Sequence, residues 1–254
     1  MSAFSKITPV QDCTGVFCGA LSLQRAKTVS TLCAGIGVWM AISLVSLPIY
    51  AQVPPPDNFG QSLSWQLRAA EAGNPQAQYV LGLTLEQGLK GEANKVEAAE
   101  WYAKAAAKGH TLAQMRLARM LYTGDGVARD VMGAARLYSE AASSGNAQAQ
   151  YNYASLLESG SGVEKNLVLA ATLYESAARQ GVAPAQVGLA MLYARGAGVG
   201  LNIERAVTWL EVALGQGALV PKTVYEALNK SLSDQQRKSV KTEAQRIQEQ
   251  IANR

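Results

Sequence analysis

Cysteine, histidine and aromatic side chains are scarce in this chain of 254 residues. All three cysteines, Cys13, Cys18 and Cys33, precede residue 51, so the rest of the chain can hold neither a disulfide nor a thiolate metal site. The single histidine, His110, excludes an H-E-x-x-H motif and any two-histidine metal site. No S-x-x-K, G-x-S-x-G or Walker pattern occurs. An excess of one charge is also lacking beyond the N-terminal segment. The formal net charge is +4, and the first 51 residues, with Lys6, Arg25, Lys27 and Asp12, supply half of it. A near-neutral body leaves no electrostatic footprint for nucleic acid. These absences lead us to expect a protein without catalytic residues, cofactor or metal.

Charge is missing altogether from Thr28 to Pro56, and within that stretch Val29 to Leu47 is strongly apolar. Arg25 and Lys27 stand just before it, and Pro48-Ile49-Tyr50-Ala51 follows it. Charged, apolar and cleavage regions in this order read as an export signal over 1–51, cut after Ala51. The apolar run is longer than the ~7–15 residues of a usual signal core and approaches the ~20 that span a bilayer, so an uncleaved anchor is the alternative. Both readings put the body beyond the cytoplasmic membrane, periplasmic or secreted in one case and tethered to the inner membrane in the other. Membrane contact is then confined to the N-terminal segment. A proline-rich linker, 52–61, follows.

What is abundant is alanine, glycine and repetition. Segments beginning at Asn74, His110, Asn146 and Val182 align without a gap, each 36 residues after the last. Ala77-Gln78, Ala113-Gln114, Ala149-Gln150 and Ala185-Gln186 form one set of columns. Gly88, Gly124, Gly160 and Gly196 form another, and Gly109, Gly145, Gly181 and Gly217 close each unit. Within a unit, Ala113, Leu117, Met120 and Leu121 fall at i, i+4, i+7 and i+8, one face of a helix. Ala98, Trp101, Tyr102, Ala105 and Ala106 mark a second helix. The expected fold is all-α, a solenoid of four helix pairs over 74–109, 110–145, 146–181 and 182–217. One pair cannot bury its apolar face alone, so the ends should be atypical. They are: 62–73 reads as a half-repeat capping the front, and 218–254 as C-terminal capping helices, the last opened by Ser233.

Repeat two reads Ala113, Leu117, Ala118, Leu121, Gly124, Gly126, Val127, then Ala134, Leu137, Tyr138, Ala141, Ala142, Gly145. This pattern resembles the Sel-one-like repeat (SLR) family, relatives of the tetratricopeptide repeat (TPR), over about residues 62–217. Repeat one departs from it, with Lys90-Gly91 in place of Gly-Val. The resemblance implies a right-handed α/α superhelix whose concave face binds a protein or peptide. Some relatives scaffold envelope or polysaccharide machinery. Cysteine-rich relatives linked to penicillin binding suggest a cell-envelope hydrolase as the alternative, and the cysteine-free body argues against it.

Individual residues of chemical interest mostly read as structural. His110 shares a turn column with Asn74 and Asn146 and is expected to cap a helix. The Gly-x-Gly sequences follow helices, not strands, and recur with the repeat, so they are turns. Trp101 and Trp209 share a core position, and Glu97, Glu100 and Glu140 read as solvated. The remaining candidates lie on first helices at the phase opposite the core. Arg116 and Arg119, beside Asn152 and Ser155 of the next repeat, form a polar, positive centre flanked by apolar Leu83 and Met191. Guanidinium, amide and hydroxyl groups suit a carboxylate or an acidic peptide; the other reading is an ordinary solvated face.

Overall fold

The computed structural model describes residues 59–89 and 91–253. The export segment and most of the proline-rich linker lie outside the described residues. Eleven helices follow one another, with no strand among the described residues. They are α1 (Phe59–Glu71), α2 (Pro75–Gln87), α3 (Lys95–Ala106), α4 (Thr111–Thr123), α5 (Val131–Ser143), α6 (Ala147–Ser159), α7 (Leu167–Arg179), α8 (Ala183–Arg195), α9 (Ile203–Gly215), α10 (Lys222–Lys230) and α11 (Asp234–Ala252). No described helix is long and apolar enough to cross a membrane.

The turn columns set the helix boundaries. Asn74, His110 and Asn146 accept the backbone N–H three residues on, at 3.0, 3.2 and 2.9 Å. Each thereby satisfies a donor that the first helical turn would otherwise leave unpaired. Val182 cannot do this, and α8 opens with Pro184 in its first turn, where a missing N–H costs nothing. At the other end of the first helices, Gly88, Gly124, Gly160 and Gly196 adopt φ between 63° and 77°, the left-handed cap that a Cβ disfavours. Repeat one keeps the same closure despite its different loop. Asn94 N–H donates to the Leu85 carbonyl at 2.9 Å, as Asp130, Asn166 and Asn202 donate to Leu121, Leu157 and Tyr193.

Alanine fills the interior. Ala98, Ala134, Ala170 and Ala206 are fully buried, as are Ala105, Ala141, Ala177 and Ala213. Small side chains let the helices approach closely, and larger ones fill the space between: Tyr102, Leu189, Leu192 and Leu210 are fully buried. Burying one such leucine stabilises the fold by about 1.5–3 kcal/mol. Gly82 belongs to this scheme, since a Cβ there would sit 2.6 Å from the Tyr102 ring.

A polar seam runs through the same interior. The buried side-chain amides of Gln78, Gln114, Gln150 and Gln186 donate to the carbonyls of Ala70, Ala106, Ala142 and Ala178, at 3.0 to 3.5 Å. Each bond fastens a first helix to the C-terminal end of the preceding helix. This explains the Ala-Gln columns.

The array ends differently from how it repeats. Ser233 and Gln236 form a reciprocal capping box at the start of α11. Gln236 reaches Glu204 near the start of α9, and Gln248 reaches the Glu211 carbonyl further along, so α11 runs along α9 in the same direction. Thr208 is consequently buried, whereas Glu100, Arg136 and Thr172 at the same position in earlier repeats are exposed. Val240, Ala244 and Ile247 supply the buried stripe of α11.

Candidate interaction surface

The exposed row of the first helices holds Arg119 and Thr123 on α4, Ser155 and Ser159 on α6, and Arg195 on α8. Arg116 and Asn152 are half-buried in the same row. The arginines, expected beside Asn152 and Ser155, find their hydrogen-bond partners elsewhere. Asn152 accepts from Gln148 on its own helix, at 3.3 Å. Both arginines turn back to the preceding repeat, to Glu86 on α2: Arg119 donates to its Oε1, and Arg116 Nη1 lies 3.6 Å from Oε2.

Leu83 and Met191 also depart from expectation. Neither projects freely. Leu83 packs against the cluster of Tyr102, Ala98 and Met120, and Met191 against that of Tyr174, Leu189 and Trp209. The surface is polar across its centre, and at these two positions the apolar side chains are half-buried.

Glu86 is the residue that the sequence reading missed. Its side chain is only 11% exposed. The Tyr102 hydroxyl donates to Glu86 Oε2 at 2.6 Å, while the arginines hold the outer side of the carboxylate. The arrangement recurs two repeats later. Tyr174 donates to Glu158 Oε2 at 3.0 Å, and Arg195 Nη2 donates to Glu158 Oε1 at 2.7 Å. Burial, reinforced by the glutamates, pushes both phenols well above the ordinary tyrosine range, so each keeps its proton and remains the donor. The available signal was Glu86 and Glu158 occupying one column in alternate repeats, with Tyr102 and Tyr174 sixteen residues beyond them. Repeat two has Tyr122 in that column, so Tyr138 has no such carboxylate.

These units fix guanidinium groups in place with their outer edges exposed: Arg119 keeps 46% of its side-chain surface and Arg195 57%. An ordered, partly neutralised arginine can donate to a carboxylate or backbone carbonyl with less loss of side-chain freedom. His110 does no such work. Its Nδ1 accepts from Ala113 N–H, its Nε2 lies 2.8 Å from Gln76 Oε1, and its ring stacks on Tyr79. Among the described residues, no group of three or more His, Cys, Asp or Glu side chains could hold a metal.

Comparison with known proteins agrees with this architecture. The Sel1 repeat model matches residues 75–110, 111–146, 147–182 and 183–217. No curated protein matches the chain. Among solved structures, a Sel1 repeat protein from Oxalobacter formigenes is 33% identical, with a TM-score of 0.59 over 68% of this chain and 50% of that one. A protective antigen of uropathogenic Escherichia coli strains, displaying an SLR fold, is 28% identical, with a TM-score of 0.54 over 80% of this chain and 52% of that one. The chain thus spans about half the length of these relatives. Four matched repeats, laid end to end over helices that cap, stack and close as one series, place the chain in the Sel1 repeat family.

Proposed function

We propose that the protein is a non-catalytic scaffold beyond the cytoplasmic membrane, binding a protein or peptide partner along the exposed row of its first helices. The observation that carries this reading is the Tyr102–Glu86–Arg116/Arg119 unit and its counterpart Tyr174–Glu158–Arg195. Packing requires the tyrosines but not the arginines, which end at the surface with donors to spare. Sel1 repeats generally serve protein interaction, which supports the same class of function. The charged, apolar and cleavage regions of the N-terminal segment support export. The partner's fitting chemistry is acidic or carbonyl-rich, with Thr123, Asn152, Ser155 and Ser159 offering further hydrogen bonds between the two units.

The test is capture from the envelope fraction with the full-length chain as bait, followed by an Arg116→Ala/Arg119→Ala double variant. Each charge-assisted hydrogen bond contributes about 1.5–3 kcal/mol, so the double variant should bind the captured partner at least ~10-fold more weakly. Its melting curve should fall, because the mostly buried Glu86 loses both cations and keeps only the Tyr102 hydroxyl, a larger cost than the about 1 kcal/mol of an exposed pair. Unchanged affinity would move the interface off this face. Recovery of the chain from the cytoplasm alone would end the export reading.

A further inference from the structure

A cleft of about 160 Å3 opens where α7, α8, α9 and α11 meet. Its side chains are not those that the repeat demands. Tyr193 stands where the other repeats have Leu85, Leu121 and Leu157; Arg205 stands where they have Glu97, Gly133 and Leu169; Arg179 stands where they have Ala107, Ser143 and Gly215. The same repeat is built elsewhere without them, and only here does α11 pack alongside.

They are arranged as two cations over two aromatic faces. The Arg205 guanidinium lies 5.5 Å from the Tyr193 ring centroid and donates to its hydroxyl at 2.9 Å. The Arg179 guanidinium lies 5.9 Å from the Trp209 ring. Two carboxylates share the cleft, and both already have partners. Glu175 Oε1 accepts from Arg179 Nε and Nη2 at 3.1 and 2.7 Å, and Glu243 accepts from Arg246 at 2.9 and 2.6 Å. What remains without a hydrogen bond among the described residues is donor capacity: Nε and Nη2 of Arg205, which lies in the field of Glu175, and Nη1 of Arg179, in that of Glu243.

We infer that this cleft is a second anchor site, which takes one carboxylate-bearing residue of a protein partner. Size favours a single residue, since small-molecule sites usually enclose about 300–1,000 Å3. The free Nε/Nη2 edge of Arg205 matches a planar carboxylate with two parallel hydrogen bonds. Glu175 and Glu243 beside it repel a dianion more than a monoanion, which favours carboxylate over phosphate. The carboxylate can come from a glutamate side chain or from a chain terminus. The site shares no residue with the Glu86 unit, so either can fail without the other.

The test follows the indole N–H signal of Trp209 in the full-length chain, assigned with Trp209→Phe, during titration with three capped dipeptides. Acetyl-Leu-Glu-amide carries a side-chain carboxylate, acetyl-Leu-Gln a terminal one, and acetyl-Leu-Gln-amide none. A saturable shift is expected with at least one carboxylate probe and none with the neutral one; the probe that acts identifies the source. Arg205→Leu should weaken the probe about tenfold and lower the melting curve only slightly, because the Tyr193 hydroxyl loses its donor. A shift that survives Arg205→Leu undiminished overturns the assignment, as does the absence of any shift. A lowered melting curve in Arg205→Leu, with no probe shift in the parent, would mean that these residues only fasten α11.

Discussion

At the residue scale, His110 shows what a capping column demands and what it tolerates. The cap requires an acceptor, and imidazole supplies one only while Nδ1 is unprotonated. Burial lowers the His110 pKa from its ordinary value of 6.5. The folded state therefore binds the proton less readily than the unfolded chain. The stability that His110 contributes is complete above the unfolded value and is lost as pH falls below it, through the lower folded value. Around the ring stand the Gln76 amide and the stacked Tyr79. We predict that acidification from pH 7.5 to 5.5 lowers the melting temperature, with a ceiling of about 1 kcal/mol set by the cap. His110→Asn, which installs the residue of repeats one and three, should flatten the profile over that range. A wild-type profile already flat there would show that His110 does not titrate as the geometry requires. The capping role was legible because the column holds Asn74 and Asn146. Glu86 was not: a carboxylate on a first helix reads as solvated until the tyrosine of the following helix is seen to reach it. The Gln columns were visible as identities, but their purpose was not, since the carbonyl that each amide reaches is set by helix packing.

At the scale of the element, the two glycines of each Gly-x-Gly loop do different jobs that the sequence presents as one motif. Gly124 needs its left-handed φ of 77°, and a Cβ there would meet neighbours only at ordinary contact distance, 3.4 Å. Gly162 and Gly198 have positive φ too, but they also press against the backbone of the preceding repeat. A Cβ on Gly162 would come within 2.5 Å of the Val131 carbonyl oxygen, and one on Gly198 would meet the Leu167 carbonyl more closely still. A carbonyl oxygen at the start of a helix cannot swing away as a side chain can. Gly124→Ala should cost about 1 kcal/mol, the strain of a left-handed non-glycine residue. Gly198→Ala should cost more, about 3 kcal/mol or above, because the two repeats must part to admit the methyl group. Chemical denaturation of both variants decides it. Equal losses would mean that the loop, not the contact between repeats, limits stability. Periodicity placed these glycines in turns correctly. It carried no information on which of them touches a neighbouring repeat.

For the array as a whole, stability should depend on nearest neighbours. Each repeat is tied to the next by a glutamine amide, a glycine contact and buried alanines, two of the joints adding the Glu86 and Glu158 ion pairs, and α11 supplies the final neighbour that a fifth repeat would have provided. Removing residues 233–254 uncovers Val207, Thr208 and Trp209 on α9 and abolishes the burial of Val240, Ala244 and Ile247. Burial of a valine or isoleucine is worth about 1.5–3 kcal/mol, so the truncated chain should lose a few kcal/mol, all of it at one end. Coupling in a solenoid passes only through adjacent units, so the loss should decay along the chain. Amide hydrogen exchange should accelerate most in α8 and α9, less in α6 and α7, and little in α2 to α4. The capped front should keep its protection because α1 still covers Ala77 through Ala69 and Ala70. An equal rise in exchange from α2 to α9 would make the four repeats a single cooperative unit. Unaltered exchange in α9 would show that α11 covers the array without stabilising it.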